Sequence, residues 1–233
     1  MKKFAEFYKC ALQVNPYSYA TYRGEEHEIS EDEYNQSILT NCLSEEIKVV
    51  GLADHGNVER SEKLRTLLSA NGITVFPGFE IGTAEKIHIV CLFSENTTPE
   101  ELNRYLGRLG LTNVDDGVMP SHFSCLEIAK IIEEEFKGFW YTAHITSDNG
   151  ILKIGQMQHI WTSPRLIAAQ IPHSLTEVDP RYNNIIKNKE PMYKKTTPVA
   201  YINAKDICKP EDLLEKNAYC LVKMSELSFI SFK

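Results

Sequence analysis

No run of apolar residues in this 233-residue chain comes near the roughly 20 that a membrane-spanning helix requires. The opening Met1-Lys2-Lys3-Phe4 has no apolar core of a secretory leader behind it, so a cytoplasmic protein is expected. The six cysteines (Cys10, Cys42, Cys91, Cys125, Cys208 and Cys220) form no Cys-x-x-Cys pair and read as reduced thiols. Excess basic charge is missing too. The formal net charge is -7, so recruitment of nucleic acid by a global positive field is excluded and any such binding needs a local patch. No Gly-x-x-x-x-Gly-Lys-Ser/Thr motif occurs, nor any internal repeat, low-complexity tract or Pro/Gly/Ser-rich linker. What remains is an ordinary globular composition, 42% apolar and 24% charged, read as one domain over residues 1–233.

The chain is organised around Ile47-Lys48-Val49-Val50-Gly51-Leu52-Ala53-Asp54-His55-Gly56-Asn57. It begins as an apolar, β-branched run, the pattern of a strand buried on both faces. It then stops on two titratable residues and a glycine, and a helical pattern from Val58 to Ala70 follows at once. Strand, polar residue, turn, helix is the order that sets chemistry at the C-terminal mouth of an α/β sheet or barrel.

The same alternation recurs along the chain. Strands are expected at Phe7–Val14, Ile73–Phe76, Ile87–Phe93, Phe139–Ala143, Leu166–Ala169 and Val199–Asn203, with a terminal one at Ala218–Val222. Helices are expected from Ser30 to about Glu46, over Pro99–Leu109, from Ser124 to Phe136 and over Pro210–Lys216. Ser30-Glu31-Asp32-Glu33 and Ser124-Cys125-Leu126-Glu127 are capping boxes. About seven strands alternating with helices predict a parallel sheet closed into a (βα)7, TIM-like barrel.

The strand ends collect metal-ligand types or their amide analogues: Gln13 and Asn15, Asp54 and His55, Glu80, His144, Asp206. His88 lies inside an apolar run. Singly, each of these suits a structural role. Together, imidazoles and carboxylates converging on one mouth point to a divalent-metal site, present or former. Arg23 and Lys205 are candidates for holding phosphate oxygens, against the commoner role of solvated surface charges.

Read in order, Ala53-Asp54-His55-Gly56, Pro77-Gly78-Phe79-Glu80, His88-Ile89-Val90, Ala143-His144 and Asp206-Ile207-Cys208 resemble the PHP (polymerase and histidinol phosphatase) domain family. The resemblance covers roughly Phe7 to Val222. It implies a distorted seven-stranded barrel that hydrolyses phosphoesters with Mn, Zn or Fe ions. It also implies His55, Glu80, His88, His144 and Asp206 as ligands, with Glu80 bridging two ions. Two departures stand out. The family's opening Asp-x-His-x-His reads Ala11-Leu12-Gln13-Val14-Asn15, so Gln13 and Asn15 are degenerate metal positions. Its closing Asp-x-His ends in Cys208, which could ligate as thiolate, with His173 as an alternative donor. The number of ions expected is therefore one, or none.

Lys223–Lys233 resembles the linker by which some bacterial PHP domains lead into a P-loop ATPase, a pairing found in antiphage proteins of the Ppl type. The sequence thus leaves two functions open. One is a metal-dependent phosphoesterase or nuclease, ATPase-linked and acting on nucleic acid or nucleotide. The other is an inactive PHP-like module that binds nucleotide, nucleic acid or a partner.

Overall fold

The computed structural model describes residues 4–23, 25–111, 120–171, 175–202 and 205–233. Its described strands are β1 (Glu6–Val14), β2 (Ile47–His55), β3 (Thr74–Gly82), β4 (His88–Leu92), β5 (Phe139–Thr142), β6 (Ala168–Gln170), β7 (Ala200–Ile202) and β8 (Cys220–Met224). They form one curved sheet in the order β7-β6-β5-β4-β3-β2-β1-β8. Beyond β7 the chain returns to β1: Asn15 donates its backbone N–H to the Ile207 carbonyl (3.1 Å) and Ile207 to that of Gln13 (2.9 Å). These bonds draw the sheet into a nearly closed, TIM-like barrel, the fold class read from the sequence.

Two features correct the all-parallel expectation, while the expected terminal strand forms as β8. β4 runs antiparallel to both β3 and β5, and an eighth strand, β8, pairs antiparallel with β1. The reason for the first is covalent. Only Thr83–Ile87 joins β3 to β4, and a parallel crossover needs about a dozen residues or more. The remaining pairs, β1–β2, β2–β3, β5–β6 and β6–β7, are parallel.

Helices cover the outside. Glu31–Ser44 and Glu62–Ala70 pack Tyr34, Ile38, Leu64 and Leu68 on the outward residues Ala11, Val50, Leu52 and Val75. Pro99–Arg108 and Cys125–Lys130 bury Leu102, Leu106 and Ile128 against Ile89, Cys91 and Trp140. Both expected capping boxes form, and Thr98 with Glu101 makes a third. The helix expected to reach Phe136 is α-helical only to Lys130 and widens to a π-turn over Ile131–Glu135. That places Glu133 to accept from Trp140 Nε1 (2.7 Å) and to pair with Arg165.

The barrel's interior is sealed below. Phe76, Phe139, Met224 and Phe229 form its lower layer, and the rings of Phe229 and Phe232 sit 5.2 and 5.1 Å from that of Phe76. Residues 223–233, expected to begin a linker, therefore fold onto the barrel through β8 and a last helical turn, Phe229–Phe232. Above this layer the strands crowd. A Cβ on Gly51 would lie 2.6 Å from the Leu12 carbonyl oxygen, and one on Gly78 would run into that of Cys91. Gly78→Ala should therefore destabilise by about 1–3 kcal/mol or more through overpacking. Gly107→Ala, in a helix with open space at that Cβ, should stabilise by up to about 1 kcal/mol. Denaturant unfolding of the two variants checks the pair.

Candidate metal centre at the barrel mouth

Strand alternation decides which side chains reach the mouth. On β2, Val49 and Ala53 face inward and the period of two brings His55 after them; on β3, Phe76 and Gly78 lead to Glu80. His55 and Glu80 are direct register partners. β4 reaches the same mouth because it is reversed. Its first residue, His88, lies level with Gly82, one inward position from Glu80. Had β4 been parallel, His88 would lie at the sealed end.

β1 needs a further device. Ala11 pairs with Val50 and Val14 with Leu52, so β1 advances three residues while β2 advances two. This bulge breaks the alternation. Leu12 and Gln13 both serve the interior, Val14 turns outward to the helices, and Asn15 reaches the mouth. His144 follows β5 in a left-handed turn (φ 26°) and donates its backbone N–H to Gln170 Oε1 (2.8 Å) at the end of β6.

The result is a buried carboxylate ringed by imidazoles. Glu80 is 1% exposed. His88 Nδ1 lies 2.9 Å and His144 Nε2 3.4 Å from its Oε1, and His55 Nε2 lies 3.8 Å from its Oε2. Ligand atoms of His55, Glu80 and His88 all fall within 4.8 Å of one another, a spacing that could hold a divalent ion. Three imidazoles and one carboxylate are donors suited to borderline divalent metals, and His144 Nδ1 is buried with no hydrogen-bond partner among the described residues. The donor set fits an ion at this end of the mouth. Asn149 fixes His88 from outside, its amide 3.2 Å from Nε2 and its carbonyl accepting the His88 backbone N–H at 3.0 Å.

The charges follow from burial. Burial alone would raise the Glu80 carboxyl, but the charge of His55 and the bonds from His144 and His88 outweigh it and hold it below the usual range. Burial holds His55 below its ordinary value. It would also lower His144, yet the bond to Glu80 and the charges of Glu80 and Asp206 leave that imidazole raised. Asp206 is pushed up to about 6 by burial first and by Glu80 second.

The other sequence candidates divide. Asp206 lies at the mouth but is bound by neutral donors: Asn15 Nδ2 to Oδ1, and the Tyr19 hydroxyl to Oδ2 at 3.1 Å. Gln13 Nε2 donates to Glu80 Oε2 at 2.5 Å. Cys208 is placed apart from the imidazole cluster. Its sulfur accepts from Arg23 (3.4 Å) and donates to the Asp206 carbonyl, and burial raises the thiol to about 12. Lys205 is held by Asp212 (2.8 Å) and Glu215 (2.5 Å). Both cations still line a cleft of about 540 Å³ with His144, Ser147, Asp148, Gln170 and Asp206. His173 lies outside the described residues.

Sequence reading missed three contributors: Gln170, Asn149 and Tyr19. Tyr19, on the helical turn Tyr19–Tyr22, stacks on His55 with ring centroids 5.1 Å apart while holding Asp206. Gln170 had a signal, an amide closing the apolar run of β6. The other two, on a single helical turn and in a loop, lie in stretches whose sequence carries none.

The barrel has solved counterparts. The chain is similar to the lesion-specific endonuclease PfuEndoQ from Pyrococcus furiosus, with a TM-score of 0.59 at 16% identity over 88% of this chain and 50% of that one. It is equally similar to endonuclease Q in complex with a 27-mer duplex substrate bearing an abasic lesion at the active site (TM-score 0.58, 14% identity, 88% and 50% covered). The likeness is one of fold. The chain spans about half the length of these proteins. No family model and no curated protein matches it. Among the described residues no helix is long and apolar enough to cross a membrane.

Asp54 supplies a pH test. It is 3% exposed, accepts the His55 backbone N–H at 2.7 Å and leaves Oδ2 without a partner among the described residues. Burial raises its carboxyl to about 6. The folded state therefore holds a proton that the unfolded state releases near pH 4, and stability should fall as pH rises from about 4 to 6. Asp54→Asn should remove a slope on the order of 2–3 kcal/mol across that window, read from denaturant midpoints in chelator.

Proposed function

We propose that this domain is a metal-dependent phosphoesterase of PHP type, acting on a phosphodiester of nucleic acid or nucleotide. The observation that carries this reading is the convergence of His55, His88 and His144 on the buried Glu80 at an open mouth. A divalent ion of the Mn, Zn or Fe type bound there would polarise a phosphoryl oxygen and acidify an attacking water. Glu80 would supply the fixed negative charge, with His55, His88 and His144 completing the ligand set. Arg23, across the cleft, would orient the phosphate, and Lys205 would add little because Asp212 and Glu215 already hold it.

Endonuclease Q's abasic duplex supports nucleic acid as the substrate class, through likeness of fold. The likeness of Lys223–Lys233 to the linker of PHP–ATPase proteins is what supports a place beside a P-loop ATPase in antiphage defence. A second reading, a binding module on a retired site, draws support from the amides at Gln13 and Asn15, which replace imidazoles of the family pattern.

Hydrolysis of a chromogenic phosphodiester and of abasic and intact DNA, across a metal series, separates the two. The enzyme reading expects weak turnover that chelator abolishes and Mn²⁺ or Zn²⁺ restores. Glu80→Gln and His88→Ala should each lower it by at least about 100-fold, since they remove the electrophile, and Arg23→Ala by about tenfold. Binding of DNA or nucleotide with no turnover under any metal would establish the module instead.

A further inference from the structure

Glu80 and Asp206 pose related problems at the mouth: Glu80 is a buried carboxylate and Asp206 a partly buried one, each with two oxygens to satisfy. Glu80 meets imidazoles on Oε1, and the amide of Gln13 donates to Oε2. At Asp206 both oxygens are taken by neutral donors, Asn15 Nδ2 on one and the Tyr19 hydroxyl on the other. Gln13 and Asn15 are fully buried. Their amide faces are set by chemistry, because the reverse orientation would press an amide oxygen against a carboxylate oxygen. Asn15 is also pinned, since the same Nδ2 donates to the Ile207 carbonyl (3.1 Å) beside the backbone bond that closes the barrel.

Resting on the reading of the mouth as an ion site, we infer that it is built for a single ion. Gln13, Asn15 and Tyr19 occupy, as hydrogen-bond donors, the oxygens of Glu80 and Asp206 that a second ion would need. Asp206 is then an acceptor that orders this network rather than a ligand.

The chemistry of replacement supports this. An imidazole presents a lone pair suited to a borderline metal, whereas the amide nitrogens of Gln13 and Asn15 present only hydrogens, and their buried amide oxygens, without a partner among the described residues, are weaker donors to such a metal than an imidazole. Those hydrogens carry partial positive charge to the place where a second cation would stand. To admit that cation, Asn15 would have to give up its bonds to both Asp206 and Ile207. Tyr19 locks the arrangement from the other side, its ring held on His55. The residues around Asp206 therefore do not fit a second metal, although the imidazole side fits one.

The test is ion counting by native mass spectrometry and by elemental analysis of protein equilibrated with excess Zn²⁺ or Mn²⁺. It compares wild type with the double variant Gln13→His, Asn15→His. The inference expects one ion per wild-type chain and two in the variant. Two ions in the wild type would overturn it, and so would a variant that gains none, since the amides would then not be what closes the second position. No ion in the wild type with one or more in the variant would uphold the role of the amides while overturning the metal-dependent reading of the native mouth. Should the double variant fail to fold, Asn15→His alone carries the test, with a gained second ion as the supporting result and none as the contrary one.

Discussion

A carboxylate buried inside a barrel must be compensated, and the mouth of this domain is arranged around that need. Isolated from water, the charge of Glu80 would cost several kcal/mol or shift to the neutral acid. Instead three imidazoles and one amide surround it. His55 comes from the neighbouring strand, His88 from the reversed β4, His144 from the turn after β5 and Gln13 from the bulge in β1. The site is thus a statement about topology. Each partner depends on a different backbone feature, and each feature is set by local chain length or register.

Asp206 solves the same problem differently. It is enclosed by Asn15 and Tyr19, and its proton is retained to higher pH than an exposed carboxyl would allow. One side of the mouth is therefore imidazole-rich and suited to a cation, and the other holds Asp206 between an amide and a hydroxyl. The cleft spans both sides, with Arg23 at its rim. A substrate phosphate entering there would meet cationic character from the imidazole side and from Arg23, in a chain that is acidic as a whole.

Much of this was legible in the sequence, and the failures have physical causes. The apolar runs before Asp54-His55 and Glu80 marked central strands, because burial on both faces demands such composition. Ser30 and Ser124 marked helix starts, since their capping boxes are local chemistry. The direction of β4 was hidden in a loop length: Thr83–Ile87 forbids a parallel crossover, and the strand's composition says nothing of it. Cys208 was weighed as a ligand from its place in a motif; the contact of its sulfur with Arg23 is one that no spacing rule encodes. Tyr19 acts from a single helical turn and Asn149 from a loop, where long-range contact rather than periodicity decides a residue's role. Residues 223–233 resemble a linker in sequence, and it is the contact of Phe229 and Phe232 with Phe76 at the lower end of the barrel that the sequence did not announce.

The central claim is that the imidazole–carboxylate cluster binds a cation at the mouth. The most direct measurement is an anomalous difference map from crystals equilibrated with Mn²⁺. The account predicts a single strong peak among His55, Glu80 and His88, about 2 Å from the ligating atoms. A mouth without a peak, or a peak only at surface carboxylates, would contradict it.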